Sequence, residues 1–326
     1  MGYLFKSSYY QLALLAKKER LERALKDPDI NDETKRKILL VQDVKKFAEE
    51  KIGLVHTRNY DSFVLLDDKY VVYAVTGSYK DKLESYQWSF PIVGTVPYKG
   101  FFKKKDAEEE KQILEKQDFD SAMRGVSAYS TLGWFADPLL SSMTAYEDQD
   151  LVETVIHETT HATLYIKSNA DFNERLANFV GIKGMEQYYS EIEGSDSKKV
   201  QRAKDSSQDS KTFAEFMSKE INDLEAFYKS HKGSPTLLTD RLTQFEKIKE
   251  DFKTQCQPKL KTANYSYFPK LALNNAVLIG YKTYYQDLDV FQKAFDKLKT
   301  WKAFFDYFKT LKKSQDPESD LKKFLI

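Results

Sequence analysis

Two histidines four residues apart in an apolar segment constrain this chain more than any other feature. His157 and His161 flank Glu158 and two threonines, with leucine, valine and isoleucine before the motif and leucine and isoleucine after it. A helix turns once in about 3.6 residues, so side chains four apart point the same way. Because the segment is apolar on several sides, the helix is predicted to be buried. The sequence therefore predicts two imidazoles side by side inside the protein.

Such a pair can bind a metal ion. Two neutral imidazoles one turn apart can both reach one Zn²⁺ at about 2.0–2.1 Å. Glu158 is rotated by about 100° around the helix from His157, so it can act as general base on a water molecule without binding the metal. The alternative is a pair of solvated histidines on a charged helix, which the apolar flanks argue against.

A catalytic zinc site needs a third protein ligand, for which Glu174 is the candidate. If the first helix ends near Ile166, residues 167–172 can run back extended at up to about 3.3 Å per residue. Asp171 is a natural N-cap for the next helix, whose first turn then carries Glu174. The resulting set, His157, His161 and Glu174, predicts one zinc ion per chain.

The third ligand has an alternative. Glu174 follows Asp171 by three positions, so the two residues could form a capping box instead of a metal site. In that case Glu153 and Asp150 are the next ligand candidates.

Composition excludes several other classes of protein. Lys and Arg number 51 against 50 Asp and Glu, a net charge of +1, which argues against a nucleic-acid partner. The single cysteine, Cys256, can form neither an internal disulfide nor a cysteine-based zinc cluster. No apolar run approaches the roughly 18 residues of a membrane span.

The hydrophobic periodicity predicts an α+β fold that is mostly helical. Segments 62–66 and 70–76 are β-branched and aromatic, and they predict a hairpin in a small mixed or antiparallel sheet over residues 60–135. We expect this sheet to pack on the histidine-bearing helix, in a single domain over residues 1–326. The parts along the chain are N-terminal helices 7–53, the sheet, zinc-site helices 147–190, a mobile polar loop 194–211 and a helical part 212–326.

Several segments also resemble a known family. The chain resembles the bacterial family called putative aminopeptidases, and its Asn173-Glu174 pair resembles that of the gluzincin metallopeptidases, where the glutamate is the third zinc ligand. The matching blocks are residues 88–102, 128–138, 157–161, 172–174 and 273–276. The resemblance implies a zincin-like fold, a peptide substrate and His157, His161 and Glu174 as ligands.

Other site residues are weaker candidates. Hydrolysis of a peptide creates an oxyanion that a tyrosine can stabilise, and Tyr129 and Tyr284 are the catalytic candidates, with packed aromatics as the alternative. Ser127 and Ala128 open a segment that could pair with a peptide as an edge strand. Tyr98 and Asn274 complete the substrate-binding candidates.

The resemblance also bears on location. Relatives often begin with a lipoprotein signal, and residues 9–15 match the start that follows its acylated cysteine. The resemblance therefore implies an extracytoplasmic, periplasmic lipoprotein anchored to a membrane by lipid, although the chain as given has no signal and would be soluble.

The main hypothesis is a zinc-dependent peptidase in which Glu158 activates water and passes the proton to the leaving amine. The label aminopeptidase comes from the family, and internal cleavage stays open. The alternative from another class is a zinc-holding, non-catalytic binding or envelope-assembly protein with a helical interaction surface. A helical scaffold without metal is the third hypothesis.

Overall fold

The chain forms two compact units that alternate along the sequence. The computed structural model describes residues 2–90, 94–127, 136–285 and 289–326. The first unit comprises Met1–Val71, Val126–Ala203 and Leu288–Ile326, and the second comprises Val72–Gly125 and Lys204–Asp287. Helices dominate and the strands are short, which confirms the α+β class; the single-domain assignment stays a prediction.

The described helices and strands are as follows. The helices are α1 (Gly2–Ala16), α2 (Leu21–Ala24), α3 (Asp32–Phe47), α4 (Lys104–Lys116), α5 (Asp148–Thr163), α6 (Ala170–Glu193), α7 (Lys198–Ser230), α8 (Leu237–Asp251), α9 (Asn275–Tyr285), α10 (Asp289–Leu298), α11 (Trp301–Thr310) and α12 (Pro317–Leu325). The strands are β1 (Glu19–Arg20), β2 (Ser62–Val64), β3 (Val72–Ser78), β4 (Trp88–Phe90), β5 (Gly94–Val96), β6 (Tyr98–Phe101), β7 (Asp120–Val126) and β8 (Leu139–Leu140).

The strands form three small sheets instead of the predicted one. β2 pairs antiparallel with β1 and parallel with β8, with Phe63 opposite Leu139. β3 lies between β6 and β7, and β4 pairs with β5. The predicted hairpin of residues 62–66 and 70–76 is therefore wrong, because β2 and β3 belong to different sheets. Alternation identifies a strand but does not say which strand is its partner.

The predicted mobile loop over residues 194–211 is also wrong for most of its length. α7 begins at Lys198, which leaves only residues 194–197 outside a helix. Asp209 is fully buried and accepts hydrogen bonds from the backbone N–H groups of Lys261 and Thr262 at 2.8 and 2.7 Å. A polar stretch can therefore be a buried helix where distant backbone groups satisfy its side chains.

Aromatic side chains form the core of the first unit around α6. Phe172 and Phe179 contact Phe291 at ring-centroid distances of 5.3 and 6.3 Å, and Phe304 and Phe308 are fully buried beside them. Such aromatic pairs stabilise a core beyond the area that they bury. This packing fixes α6, which carries Glu174, to the C-terminal helices.

Candidate metal centre

Small residues on one face of α6 let it pack closely against α5. A Cβ atom added at Gly181 would lie 3.0 Å from the backbone oxygen of Glu153, and one at Gly184 would lie 3.0 Å from Ile156. Ala177 is fully buried on the same face. Positions 174, 177, 181 and 184 follow helical spacing. The close-packed face of α6 therefore carries Glu174 toward the histidine-bearing α5.

A short, pinned connection joins the two helices. α5 ends at Thr163 and α6 begins at Ala170. Asn173 accepts a hydrogen bond from the N–H of Ile166 at 2.8 Å and donates to its carbonyl oxygen at 2.7 Å. Asp171 does not cap α6 as predicted, because it lies in the first turn and Asn169 holds the N-cap position. The reversal depends instead on the buried amide of Asn173, whose role sequence reasoning missed.

Three side chains bring their ligand atoms together between the helices. The Nε2 atoms of His157 and His161 lie 3.1 Å apart, and they lie 3.4 and 3.6 Å from the two carboxylate oxygens of Glu174. Ligand atoms about 2.1 Å from a tetrahedral zinc ion are about 3.4 Å from one another. The spacing of these donors thus fits one small divalent cation, and the capping-box alternative for Glu174 does not describe its contacts.

The electrostatics of the group agree with this geometry. Burial raises the pKa of the Glu174 carboxyl, but the facing imidazoles outweigh burial and hold the pKa below its ordinary value. Burial lowers the pKa of His161, but the Glu174 carboxylate outweighs burial, so that the pKa of His161 lies above its ordinary value. The carboxylate therefore stays ionised, which is the form in which a carboxyl group binds a metal.

Comparison with protein families now adds a second line of evidence. The family model described as "Putative aminopeptidase" matches residues 2–323. The chain belongs to this family. Comparisons with curated proteins and with solved structures found no match.

In this aminopeptidase-family chain, Glu158 is close to the three ligand candidates but outside their group. Its carboxyl is not among the atoms that lie within 4.8 Å of one another. Burial and the charges of Glu174 and Asp137 raise its pKa above the ordinary value, against the effect of the histidines. A carboxyl group with this environment holds a proton more readily than one in water.

Two tyrosines that sequence reasoning missed interact electrostatically with Glu158. Tyr60 and Tyr146 both have their pKa raised, first by burial and then by Glu158. Tyr146 is only partly buried, and its hydroxyl interacts with the side chain of Ser127. Both phenols therefore stay neutral and can donate a hydrogen bond. No local sequence pattern marks them, because neither belongs to the motif of residues 157–161.

The two reserve ligands lie elsewhere. Burial and Asp150 raise the pKa of Glu153 to about 8, and Asp150 is exposed. Neither belongs to the three-residue ligand group. Glu153 packs at Gly181 instead, one turn before His157 on α5.

The weaker candidates are distributed over both units. Ala128 and Tyr129 lie outside the described residues, and of Tyr284 only its place in α9 is described. In the second unit, Tyr98 is 54% exposed on β6. Asn274 donates to the carbonyl of Ser121 at 2.9 Å and accepts from the N–H of Val277, which is a helix-capping contact. In the first unit, Ser127 is buried.

None of the helices in the described residues is both long and apolar enough to cross a membrane.

Proposed function

We propose that this chain is a zinc-dependent peptidase that removes residues from the N-termini of peptides. The observation that carries the proposal is the convergence of two imidazole nitrogens and one carboxylate within 4.8 Å of one another, with a further carboxyl, Glu158, beside them. Membership of the aminopeptidase family supports the substrate class. The zincin-like fold and the gluzincin assignment belong to the same proposal, as does the lipid anchor outside the cytoplasm.

His157, His161 and Glu174 would hold the cation, in the two-histidine, one-glutamate arrangement of catalytic zinc sites. When bound, zinc supplies a Lewis acid that polarises a carbonyl and lowers the pKa of water. Among the residues that the structure describes, the ligand group has three members, and a tetrahedral site with three protein ligands keeps one position for water or substrate.

Glu158 supplies the proton transfers in this proposal. Its carboxylate accepts a proton from the attacking water, whose oxygen forms the new bond to the carbonyl carbon. The C–N bond then breaks, and the same proton passes from Glu158 to the leaving nitrogen. The raised pKa of Glu158 suits a group that must both accept and donate. Tyr146 offers a neutral hydroxyl for the developing oxyanion, in the role first predicted for Tyr129 and Tyr284.

The test compares two glutamates on one helix. Glu158→Gln should keep the bound zinc and lower kcat by about 10²–10⁴-fold, the usual contribution of a general acid–base group. Glu153→Gln, one turn earlier and outside the ligand group, is the matched control and should stay close to the parent. Hydrolysis of short peptides is followed by mass spectrometry, with zinc measured in the same samples.

Each peptide is supplied free and N-acetylated. An aminopeptidase cleaves only the free form, whereas cleavage of both forms indicates an endopeptidase. Stoichiometric zinc without turnover of any peptide would contradict the peptidase and support the zinc-holding binding protein. Unchanged turnover by Glu158→Gln would reject the proposed proton transfers.

A further inference from the structure

The three residues next to Glu174 in the first turns of α6 are each attached to a different part of the first unit. Phe172 packs on Phe291, 5.3 Å between ring centroids. Asn173 is hydrogen-bonded to the backbone of Ile166. Arg175 contacts the last helix of the chain through Glu318. Because the first backbone groups of a helix lack partners within it, such side-chain contacts determine how firmly this turn is held.

Arg175 is the charged member of this set. Its Nη2 donates to Glu318 Oε2 at 2.5 Å, its Nε donates to the carbonyl of Asp171 at 3.3 Å, and its guanidinium lies over the Phe291 ring. The side chain is only 11% exposed. A cation buried to this extent needs its counter-charge.

The carboxylate partner is itself well positioned. Glu318 lies in the first turn of α12, whose N-cap Asp316 accepts a hydrogen bond from the N–H of Ser319. Tyr307 stacks on Phe324 near the other end of this helix at 4.0 Å. Lys322 lies 3.4 Å from the second oxygen of Glu318. α12 is therefore a fixed support for Arg175.

We infer that the ion pair between Arg175 and Glu318 positions Glu174 for the cation, so that the C-terminal helix α12 is part of the support of the metal centre. The inference rests on the proposed function, since it concerns the same site. Arg175 and Glu318 are positioning residues and touch neither substrate nor cation. Partners that orient a ligand from outside the metal's own contacts typically change metal affinity by 10–100-fold when they are removed.

The experiment measures zinc affinity directly. The full-length chain is stripped with a chelator and titrated with Zn²⁺ against a competing chelator, with folding checked by circular dichroism. Glu318→Gln should raise the zinc dissociation constant about tenfold or more, and Glu318→Asp, which keeps the charge, should recover part of the loss. Asp61→Asn is the matched control: it also removes the acid partner of a buried cation, Lys45, but not one attached to α6, and its zinc affinity should stay within about twofold of the parent.

A double variant protects the test against misfolding. Arg175→Gln combined with Glu318→Gln leaves no uncompensated buried charge, and its loss of affinity should equal that of Glu318→Gln alone if the two residues act as a pair. Parent-like zinc affinity in folded Glu318→Gln, or in the folded double variant, would overturn the inference while leaving the peptidase proposal intact. A parent chain that binds no zinc would overturn both.

Discussion

Each unit contains a buried group of ionisable side chains, and these two groups differ in how their charges are satisfied. In the second unit, Asp120 accepts two hydrogen bonds from Arg241 at 2.6 and 2.9 Å, and a third from the N–H of Asn275. Asn275 is itself fully buried and accepts from Tyr228. In the first unit, His157, His161 and Glu174 face one another across distances of 3.1–3.6 Å.

The contrast separates a structural cluster from a candidate binding site. Around Asp120 the chain supplies both the negative charge and the cation that neutralises it, so no ligand is needed. Around Glu174 the chain supplies donor atoms with the spacing of metal ligands. Buried polar groups normally have all their hydrogen-bond partners within the protein. Side chains that bind an ion instead keep donor atoms for that ion.

The largest expected effect is on catalysis and comes from removing a ligand from the group of His157, His161 and Glu174. Glu174→Ala removes one of three ligands, so kcat/KM for a free peptide should fall by at least about a thousandfold, or about 4 kcal/mol in transition-state free energy. Steady-state kinetics measure the loss. Glu191→Ala, an exposed glutamate on the same helix, is the control and should stay close to the parent. Comparable kinetics for the two variants would remove Glu174 from the mechanism.

The next effect is on the stability of the protein and comes from breaking the buried pair of Asp120 and Arg241. Asp120→Asn leaves Arg241 buried without its counter-charge, so the free energy of unfolding should fall by about 3–5 kcal/mol. Asp118→Asn removes an exposed partner of Lys80 and should leave the free energy of unfolding close to that of the parent. Chemical denaturation compares both with the parent. Equal losses would show that the buried pair is no more important to the fold than a surface pair.

The smallest effect tests the close approach of α5 and α6. Gly181→Ala places a Cβ 3.0 Å from the backbone of Glu153 and 3.3 Å from His157, so we expect a loss of about 1–3 kcal/mol together with weaker zinc binding. Gly280→Ala in α9 meets no atom within 4 Å and should stabilise the chain by about 0.5–1 kcal/mol. Thermal denaturation with and without zinc checks both signs. A stabilised Gly181→Ala variant would mean that the helices do not depend on this contact.

The centre could largely be predicted from sequence because its signals are local. A spacing of four places His157 and His161 on one face, and the length of residues 162–173 allows Glu174 to return to them. The hydrogen bonds of the Asn173 side chain and the packing at Gly181 could not be predicted in the same way. Their partners, Ile166 and Glu153, are identified only once the helices are placed beside each other.

The sheets and the polar segment were harder to predict for the same reason. Residues 62–66 carry a strand signal, but the pairing of Phe63 with Leu139 joins positions far apart in the sequence. Asp209 belongs to a serine-rich stretch typical of a loop, and its burial depends on the backbone of Lys261 and Thr262. Local patterns report a residue's own tendency, whereas these elements are fixed by distant partners.

The most direct test of the comparison is the zinc content of purified protein. Elemental analysis on chain prepared without chelator should find one zinc per chain in the parent and in Asp120→Asn, and none in Glu174→Ala. Absence of zinc from a folded parent, or the same zinc content in Glu174→Ala as in the parent, would contradict the assignment of these three side chains as a metal centre.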